Sequence, residues 1–265
     1  MENAYENLDP VIFEIIKSVK ECGEIMLGAD RSTGRVDEKS GVGNFVTTYD
    51  TMIEKKLKED LTRALPGSVF VGEEGDTAGD ISKGYVFIVD PIDGTMNFIR
   101  NFNRSCISVG LLKDGEKYAG VVLNPYVNEL FVAQKGHGAY LNGKKISVSQ
   151  RPLSEGLIVF GTAPYYKELH KKSLKLAYKY YEMALDLRRA GAASADLCDV
   201  ACGRAEFFFE LRLSPWDFAA ASLIVCEAGG IIRTMDGNEI TFGAPCSVVA
   251  ANSLQTLRDA EIKIK

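Results

Sequence analysis

The 265-residue chain lacks most of the features that declare a function at once. No apolar run is long enough to span a bilayer, which excludes a helical membrane protein. The stretch from Met1 to Asp9 is polar and acidic, without the layout of a signal peptide, so a cytoplasmic location is expected. A basic surplus is also missing: 31 Lys and Arg face 36 Asp and Glu, for a net charge of −5. Nucleic acid requires a basic patch, so no nucleic-acid partner and no membrane partner is expected. The same acidic surplus repels phosphate-bearing ligands unless cations intervene.

Histidine is scarce. His137 lies in a glycine-rich turn and His170 in a lysine-rich segment, and two such residues build neither an HExxH zinc helix nor a serine–histidine arrangement. The six cysteines (Cys22, Cys106, Cys198, Cys202, Cys226 and Cys246) sit mostly in apolar stretches and form no CxxC pair. They read as buried free thiols. If the chain is an enzyme, its chemistry must run on carboxylates and hydroxyls, with metal ions as the further candidate.

What is present is a strong alternation of elements. Asp9-Pro10 opens an amphipathic helix over 9–27, with Ile12, Ile15, Ile16, Val19, Cys22 and Met26 at helical spacing. Residues 30–47 read as a loop, and a second helix runs from Thr48 to Ala64 until "LPG" stops it. Short strands follow at 68–74, 85–90, 106–112, 117–124 and 128–134, and "LNGKKI" at 141–146 carries a hairpin turn, so an antiparallel meander is expected. The second half alternates: strands at 156–161, 204–211, 230–234 and 246–251, with helices at 166–183, 191–202, 215–229 and the C-terminus. The expected fold class is α/β (α+β), built as stacked layers of helix and sheet. Residues 1–265 are expected to form one domain, with an antiparallel lobe over about 1–150 and an α/β lobe over about 151–265.

Acidic residues interrupt this apolar framework at a few spots: Glu73-Glu74 after "SVFVG", Asp90 and Asp93 in "VDPIDGTMNF", and Asp217 in "SPWDFAA". Singly, each has a plain structural role. Glu73-Glu74 suits a solvated turn, Asp93-Gly94 is turn chemistry, and Asp217 favours a helix N-terminus. Together they pose a problem, because uncompensated carboxylates at the rim of a core are costly and no Lys or Arg lies immediately beside them in the chain. A divalent cation such as Mg²⁺ resolves it, with the Ile92 carbonyl as a further hard ligand. The N–H groups of Gly94 and Thr95, opening the next helical segment, form an anion site suited to phosphate.

The stretches "GEEG" (72–75), "DPIDGTMNF" (90–98) and "SPWDFAAASLIVCEAGG" (214–230) resemble the inositol monophosphatase family of lithium-sensitive, Mg²⁺-dependent phosphatases, in order and spacing from about residue 10 to 252. The resemblance implies an αβαβα sandwich, a homodimer, and about two or three Mg²⁺ ions. It implies metal ligation by Glu73, Asp90, the Ile92 carbonyl, Asp93 and Asp217, with phosphate on Gly94 and Thr95. Asp50 and Thr95 would orient the attacking water, and Glu73 joins them as a catalytic residue. Gly191, Ala193 and Glu210 would line the sugar, together with Asp93 and Asp217, and Lys39 would lie near the mouth of the site. Asn44 departs from the pattern, standing where many relatives carry an aspartate; Ala192 and Ser214 occupy variable wall positions. The substrate implied is a small sugar or inositol phosphate, most directly inositol monophosphate. Fructose 1,6-bisphosphate, 3′-phosphoadenosine 5′-phosphate and NADP are alternatives. Glu210 and the "RLSPWD" context favour a polyol over an adenine nucleotide, which would want an aromatic or apolar platform for its base. A regulatory binding protein that keeps the fold is the non-enzymatic alternative.

Overall fold

A computed structural model of the chain describes residues 5–30, 36–38, 45–75 and 79–264. Lys39 and Asn44 lie outside them. The chain opens with α1 (Pro10–Leu27), capped by the Asp9 side chain on the Val11 N–H, and continues through β1 (Val36–Glu38), β2 (Phe45–Thr47) and α2 (Thr48–Ala64). Seven strands follow: β3 (Val69–Gly72), β4 (Tyr85–Asp93), β5 (Cys106–Lys113), β6 (Glu116–Asn124), β7 (Glu129–Gln134), β8 (Gly138–Leu141) and β9 (Lys144–Ile146). They form one sheet in sequence order, and a short helix α3 (Thr95–Ile99) interrupts it after β4. The remainder comprises β10 (Leu157–Phe160), α4 (Lys167–Tyr181), β11 (Asp186–Arg188), α5 (Ala193–Ala201), β12 (Phe207–Leu213), α6 (Pro215–Glu227), β13 (Ile231–Arg233), β14 (Cys246–Ala251) and α7 (Leu254–Asp259). Its five strands run β11-β10-β12-β14-β13 across a second sheet.

Side-chain alternation along the strands sets the layering. Phe87 and Val89 of β4 and Ile107, Val109 and Leu111 of β5 face Ile12, Ile15 and Val19 of α1 and Ile53 and Leu57 of α2. On the other face of that sheet, Val122 and Phe131 meet Leu223 and Ile224 of α6 and Leu197 of α5. Phe208 of β12 points into this same middle layer, whereas Phe207 and Phe209 point away, onto Ala177 and Tyr180 of α4 and Leu257 of α7. The order is therefore α1/α2, seven-stranded sheet, α5/α6, five-stranded sheet, α4/α7: an αβαβα sandwich of the α/β (α+β) class. Among the described residues no helix is long and apolar enough to cross a membrane.

Several details differ from the sequence reading. β1 and β2 pair as an antiparallel ribbon where a loop is expected. β3 runs parallel to β4, so the first sheet is not a pure meander. β4 continues through Pro91 to Asp93, accommodated by a shift of register: Asp90 pairs with Ser108 but Asp93 with Cys106. β11 is absent from the sequence reading because three residues at an edge carry no period. β12 starts at Phe207 rather than 204, since the N–H groups of Arg204 and Ala205 both donate to the Asp199 carbonyl as α5 ends.

The small residues of α6 have a specific seat. Gly110 and Gly120 are cross-strand partners on β5 and β6. A Cβ on Gly120 would lie 2.4 Å from the Ala220 carbonyl oxygen, and one on Gly110 would lie 2.9 Å from the Ala219 Cβ. The helix backbone rests directly on the sheet, which fixes the height of Asp217 above it. Gly120→Ala is expected to lower stability by about 1–3 kcal/mol, read as a lower denaturant midpoint; an unchanged midpoint would contradict this packing.

Candidate active site

The register shift in β4 builds the centre of the site. Three residue steps on β4 are matched by two on β5, the signature of a bulge, which turns a side chain away from simple alternation. Asp90 is 1 % exposed and Asp93 is 6 % exposed. Asp90 Oδ1 accepts the Ile92 N–H at 3.0 Å, closing a tight local turn around Pro91. The Asp93 carboxylate reaches across to the second half of the chain, accepting the Ala193 N–H at 3.1 Å and the Ser194 N–H at 2.7 Å at the start of α5. The Cys106 thiol donates to its second oxygen at 3.5 Å. Gly94 follows at φ +82°, where a side chain would be strained and where an added Cβ would lie 3.1 Å from the Gly191 carbonyl oxygen.

Other elements deliver the remaining carboxylates. Glu73 leaves the end of β3, tied by its N–H to the Val89 carbonyl at 3.2 Å. Glu54 of α2 braces the next residue, accepting the Glu74 N–H at 2.8 Å. Gly72 must be glycine for that brace, because a Cβ there would lie 2.3 Å from the Glu54 carboxylate. Asp217 sits in the first turn of α6 and accepts the Ser214 N–H at 2.7 Å, in a capping-box geometry. Asp50, fully buried, plays the same part for α2 with the Thr47 N–H at 2.8 Å. Its other oxygen meets the Thr95 hydroxyl at 3.3 Å, and that hydroxyl also lies 3.2 Å from the Ile92 carbonyl oxygen.

A cavity of about 530 Å³ opens between these elements. Its wall contains Glu73, Asp90, Ile92, Asp93, Gly94, Thr95 and Asp217 together, as well as Gly191, Ala192, Ala193, Glu210 and Ser214. Among the described residues that the resemblance assigns to the site, Asp50 is off the wall; it lies behind Thr95, whose hydroxyl it meets. Burial, then the neighbouring charges of Glu73, Asp93, Asp217 and Asp50, holds the Asp90 carboxyl well above its usual range. Burial and the charges of Glu73 and Asp93 do the same to Asp217. Burial raises Asp93 against the opposing pull of its Ser194, Cys106 and Ala193 hydrogen bonds. Among the described residues no three His, Cys, Asp or Glu side chains are already gathered as a metal site. Like charges in a weakly screened wall repel, so they ring the cavity rather than meet at a point. The donor set nevertheless fits a hard divalent cation: it is all oxygen, anionic and convergent on one space.

Sequence reasoning missed part of the wall. Tyr165, Tyr166, Arg189, Arg212 and Trp216 also line it. Aromatic rings therefore do stand at the cavity, so the wall offers the kind of platform that an adenine-bearing substrate would want. The doublet Arg188-Arg189 before "AGAA" and Arg212 two residues after Glu210 were visible signals, but their convergence needs the fold. A second hollow, of about 500 Å³ near Ser147, Arg151 and Glu155, is open to solvent and gathers no comparable set of groups.

A layered αβαβα sandwich with buried carboxylates ringing a cavity fits a hydrolase of the phosphatase class, and comparison with known proteins narrows it. The family model described as the inositol monophosphatase family matches residues 7–263. An inositol-1-monophosphatase from Caulobacter vibrioides is 38 % identical over 232 residues, covering 85 % of this chain and 91 % of that one. A protein named Nus factor SuhB from Xylella fastidiosa is 36 % identical over 231 residues, covering 86 % and 83 % respectively. The crystal structure of the extragenic suppressor protein suhB from Bartonella henselae superposes with a TM-score of 0.89 at 29 % identity, covering 96 % of this chain and 98 % of that one. The chain belongs to the inositol monophosphatase family, a family of phosphatases.

Glu210 gives a test of this electrostatic picture. It is 6 % exposed and accepts the Ala163 N–H at 2.8 Å. Burial pushes its carboxyl from about 4.5 up to about 8. Between those values the folded chain keeps a proton that the unfolded chain has released, so the group lowers stability as pH rises through that window. Glu210→Gln does not titrate. Its stability relative to the parent is expected to improve from pH 5 to pH 8, by on the order of 1–3 kcal/mol. A pH-independent difference in denaturant midpoint would contradict the buried placement.

Proposed function

We propose that the chain hydrolyses a phosphate monoester of a small polyol, most directly an inositol monophosphate, with Mg²⁺ bound at the carboxylates. The observation that carries this is the convergence of Glu73, Asp90, Asp93 and Asp217 with the Gly94-Thr95 turn on one cavity. Glu73, Asp90, the Ile92 carbonyl, Asp93 and Asp217 would hold about two or three ions, which when bound neutralise the phosphate, acidify a water and stabilise the departing oxygen. Whole-protein charge of −5 is then no obstacle to an anionic substrate.

The chain's own groups supply the geometry. The first backbone N–H groups of α3, at Gly94 and Thr95, have no partner within the helix and take the phosphate oxygens. Thr95 donates its hydroxyl proton to Asp50, which leaves its oxygen lone pairs to accept from the attacking water and aim it. The water oxygen bonds to phosphorus as the ester P–O bond breaks on the opposite side; the water gives up one proton to solvent, and the departing alcohol oxygen takes one from solvent. Glu210 and the backbone around Gly191 and Ala193 face the polyol hydroxyls. Because Asp93 and the phosphate turn come from the first lobe and Asp217, Gly191 and Glu210 from the second, residues 1–265 act as one catalytic unit.

The relative named Nus factor SuhB keeps a second, regulatory reading in view. Phosphate release from the purified protein alone excludes a purely regulatory role. For the catalytic reading, Asp93→Asn is expected to cut turnover of myo-inositol 1-phosphate in Mg²⁺ by about 10²–10³-fold or more, and chelator should abolish turnover by the parent. The amide keeps one oxygen, for one of the two α5 N–H groups, so the folded circular-dichroism spectrum should persist with a lowered denaturant midpoint. Parent-like turnover by the variant, or full activity in excess chelator, would overturn the proposal.

A further inference from the structure

The turn at Gly94-Thr95 is flanked by two residues that both reach into the second lobe. Asp93 is one, through the Ala193 and Ser194 N–H groups. Asn97, on the other side of the turn in α3, is the second. Its side-chain amide donates to the Ala190 carbonyl at 2.8 Å and to the Arg104 carbonyl at 2.8 Å. An amide NH₂ has two protons to give, and both are used here. Asn97 is 8 % exposed and lies on the cavity wall.

Local structure explains one of these bonds and not the other. The chain reverses after α3, with Asn101 and Asn103 at positive φ, and an amide on the Arg104 carbonyl suits the end of that reversal. The Ala190 carbonyl, 93 positions away in the chain, plays no part in it. Residues 189–192 belong to no helix or strand; they run from the end of β11 at Arg188 to the start of α5 at Ala193. They carry Gly191 and Ala192 to the cavity. Asn97 pins this stretch near its beginning and Asp93 pins it at its end. The fit against the phosphate turn is close. A Cβ on Gly94 would lie 3.1 Å from the Gly191 carbonyl oxygen and 3.2 Å from the Arg104 carbonyl oxygen, so the turn is wedged between the two segments that Asn97 ties together. The Ser105 hydroxyl adds a bond to the Gly94 carbonyl at 2.9 Å.

We propose that Asn97 is a positioning residue: it fixes the distance between the phosphate turn at Gly94-Thr95 and the polyol wall at Gly191-Ala193, so that one ester occupies both. This rests on the reading above, with the phosphate on the turn and the polyol on the wall. Asn97 acts through these two segments and not on the reacting atoms. The body of α5 has its own ties, to Asp93 and to the Arg104 guanidinium, which pairs with Asp196 and Asp199. Loss of the Asn97 amide therefore shifts the wall without unfolding it. A displacement of about 1 Å between two anchors can cost on the order of 100-fold in rate, and the cost falls on substrates that use both.

The test compares myo-inositol 1-phosphate with 4-nitrophenyl phosphate, whose leaving group has no hydroxyls to place on the wall. In Mg²⁺, Asn97→Ala is expected to lower kcat/KM for myo-inositol 1-phosphate by about 10- to 100-fold, and the loss for 4-nitrophenyl phosphate should be at least about fivefold smaller. Asn97→Ser retains one donor and should fall between parent and Asn97→Ala. A loss as large for 4-nitrophenyl phosphate, as general damage to the fold would give, or no loss for either compound, overturns the inference and leaves the catalytic proposal standing. If Asn97→Ala does not fold, Asn97→Ser carries the same comparison; if neither folds, Asn97 serves stability and the inference falls. If the parent does not turn over both compounds, the polyol-phosphate reading fails, and calorimetric titration of myo-inositol 1-phosphate and of inorganic phosphate decides the role of Asn97. A larger loss of affinity for the ester than for inorganic phosphate in Asn97→Ala upholds it. Equal losses, or a parent that binds neither, overturn it.

Discussion

One carboxylate joins the two halves of this protein. Asp93 stands at the end of a strand in the seven-stranded sheet, and both of its oxygens accept N–H groups at the start of α5, in the middle layer. Hydrogen bonds to a charged acceptor are worth about 1.5–3 kcal/mol each, and here they also set position. They fix α5 against β4, and thereby Gly191, Ala192 and Ala193 against the Gly94 turn. The cavity exists because this contact holds its two walls at a defined separation. The contact in turn depends on the bulge at Pro91, which carries Asp93 out of register with its neighbour strand.

The other acidic residues are placed by the same device, used again. Asp50 and Asp217 each spend one oxygen satisfying a backbone N–H at the start of a helix and leave the other to the site. Helix starts tolerate anionic groups because unpaired N–H groups and the macrodipole favour them. The fold thus brings negative charges to the edge of its core at positions where each is partly compensated locally. What is not compensated is their burial and, after it, their mutual repulsion, which together keep the Asp90 and Asp217 carboxyls well above their usual range. A site of this kind suits a divalent cation, and the glycine seat under α6 fixes the height of Asp217 at the cavity wall.

Much of this was legible in the sequence. The helices at 10–27 and 48–64 and the Asn142-Gly143 hairpin follow from apolar periodicity and turn residues, whereas the αβαβα order came from the family resemblance. The metal-type carboxylates stood out because each breaks an apolar run. Where the reading failed, the cause was tertiary. Pro91 looks like a strand terminator, but a bulge lets the strand pass it. β11 is too short to have a period and exists only because β10 lies beside it. Tyr165, Tyr166, Arg189 and Arg212 come from three separate segments, and nothing in their local spacing indicates a shared wall. Ser194 and Glu54 support the site through a backbone N–H and a brace behind a loop, roles that leave no motif.

The account rests on the carboxylates acting jointly on divalent cations, and the most direct measurement is anomalous diffraction from crystals soaked in Mn²⁺, collected above and below its absorption edge. The account predicts anomalous density inside the cavity within bonding distance of Asp90 together with at least one of Glu73, Asp93 and Asp217. Crystals that take up Mn²⁺ only at surface carboxylates, or none at all, would contradict it.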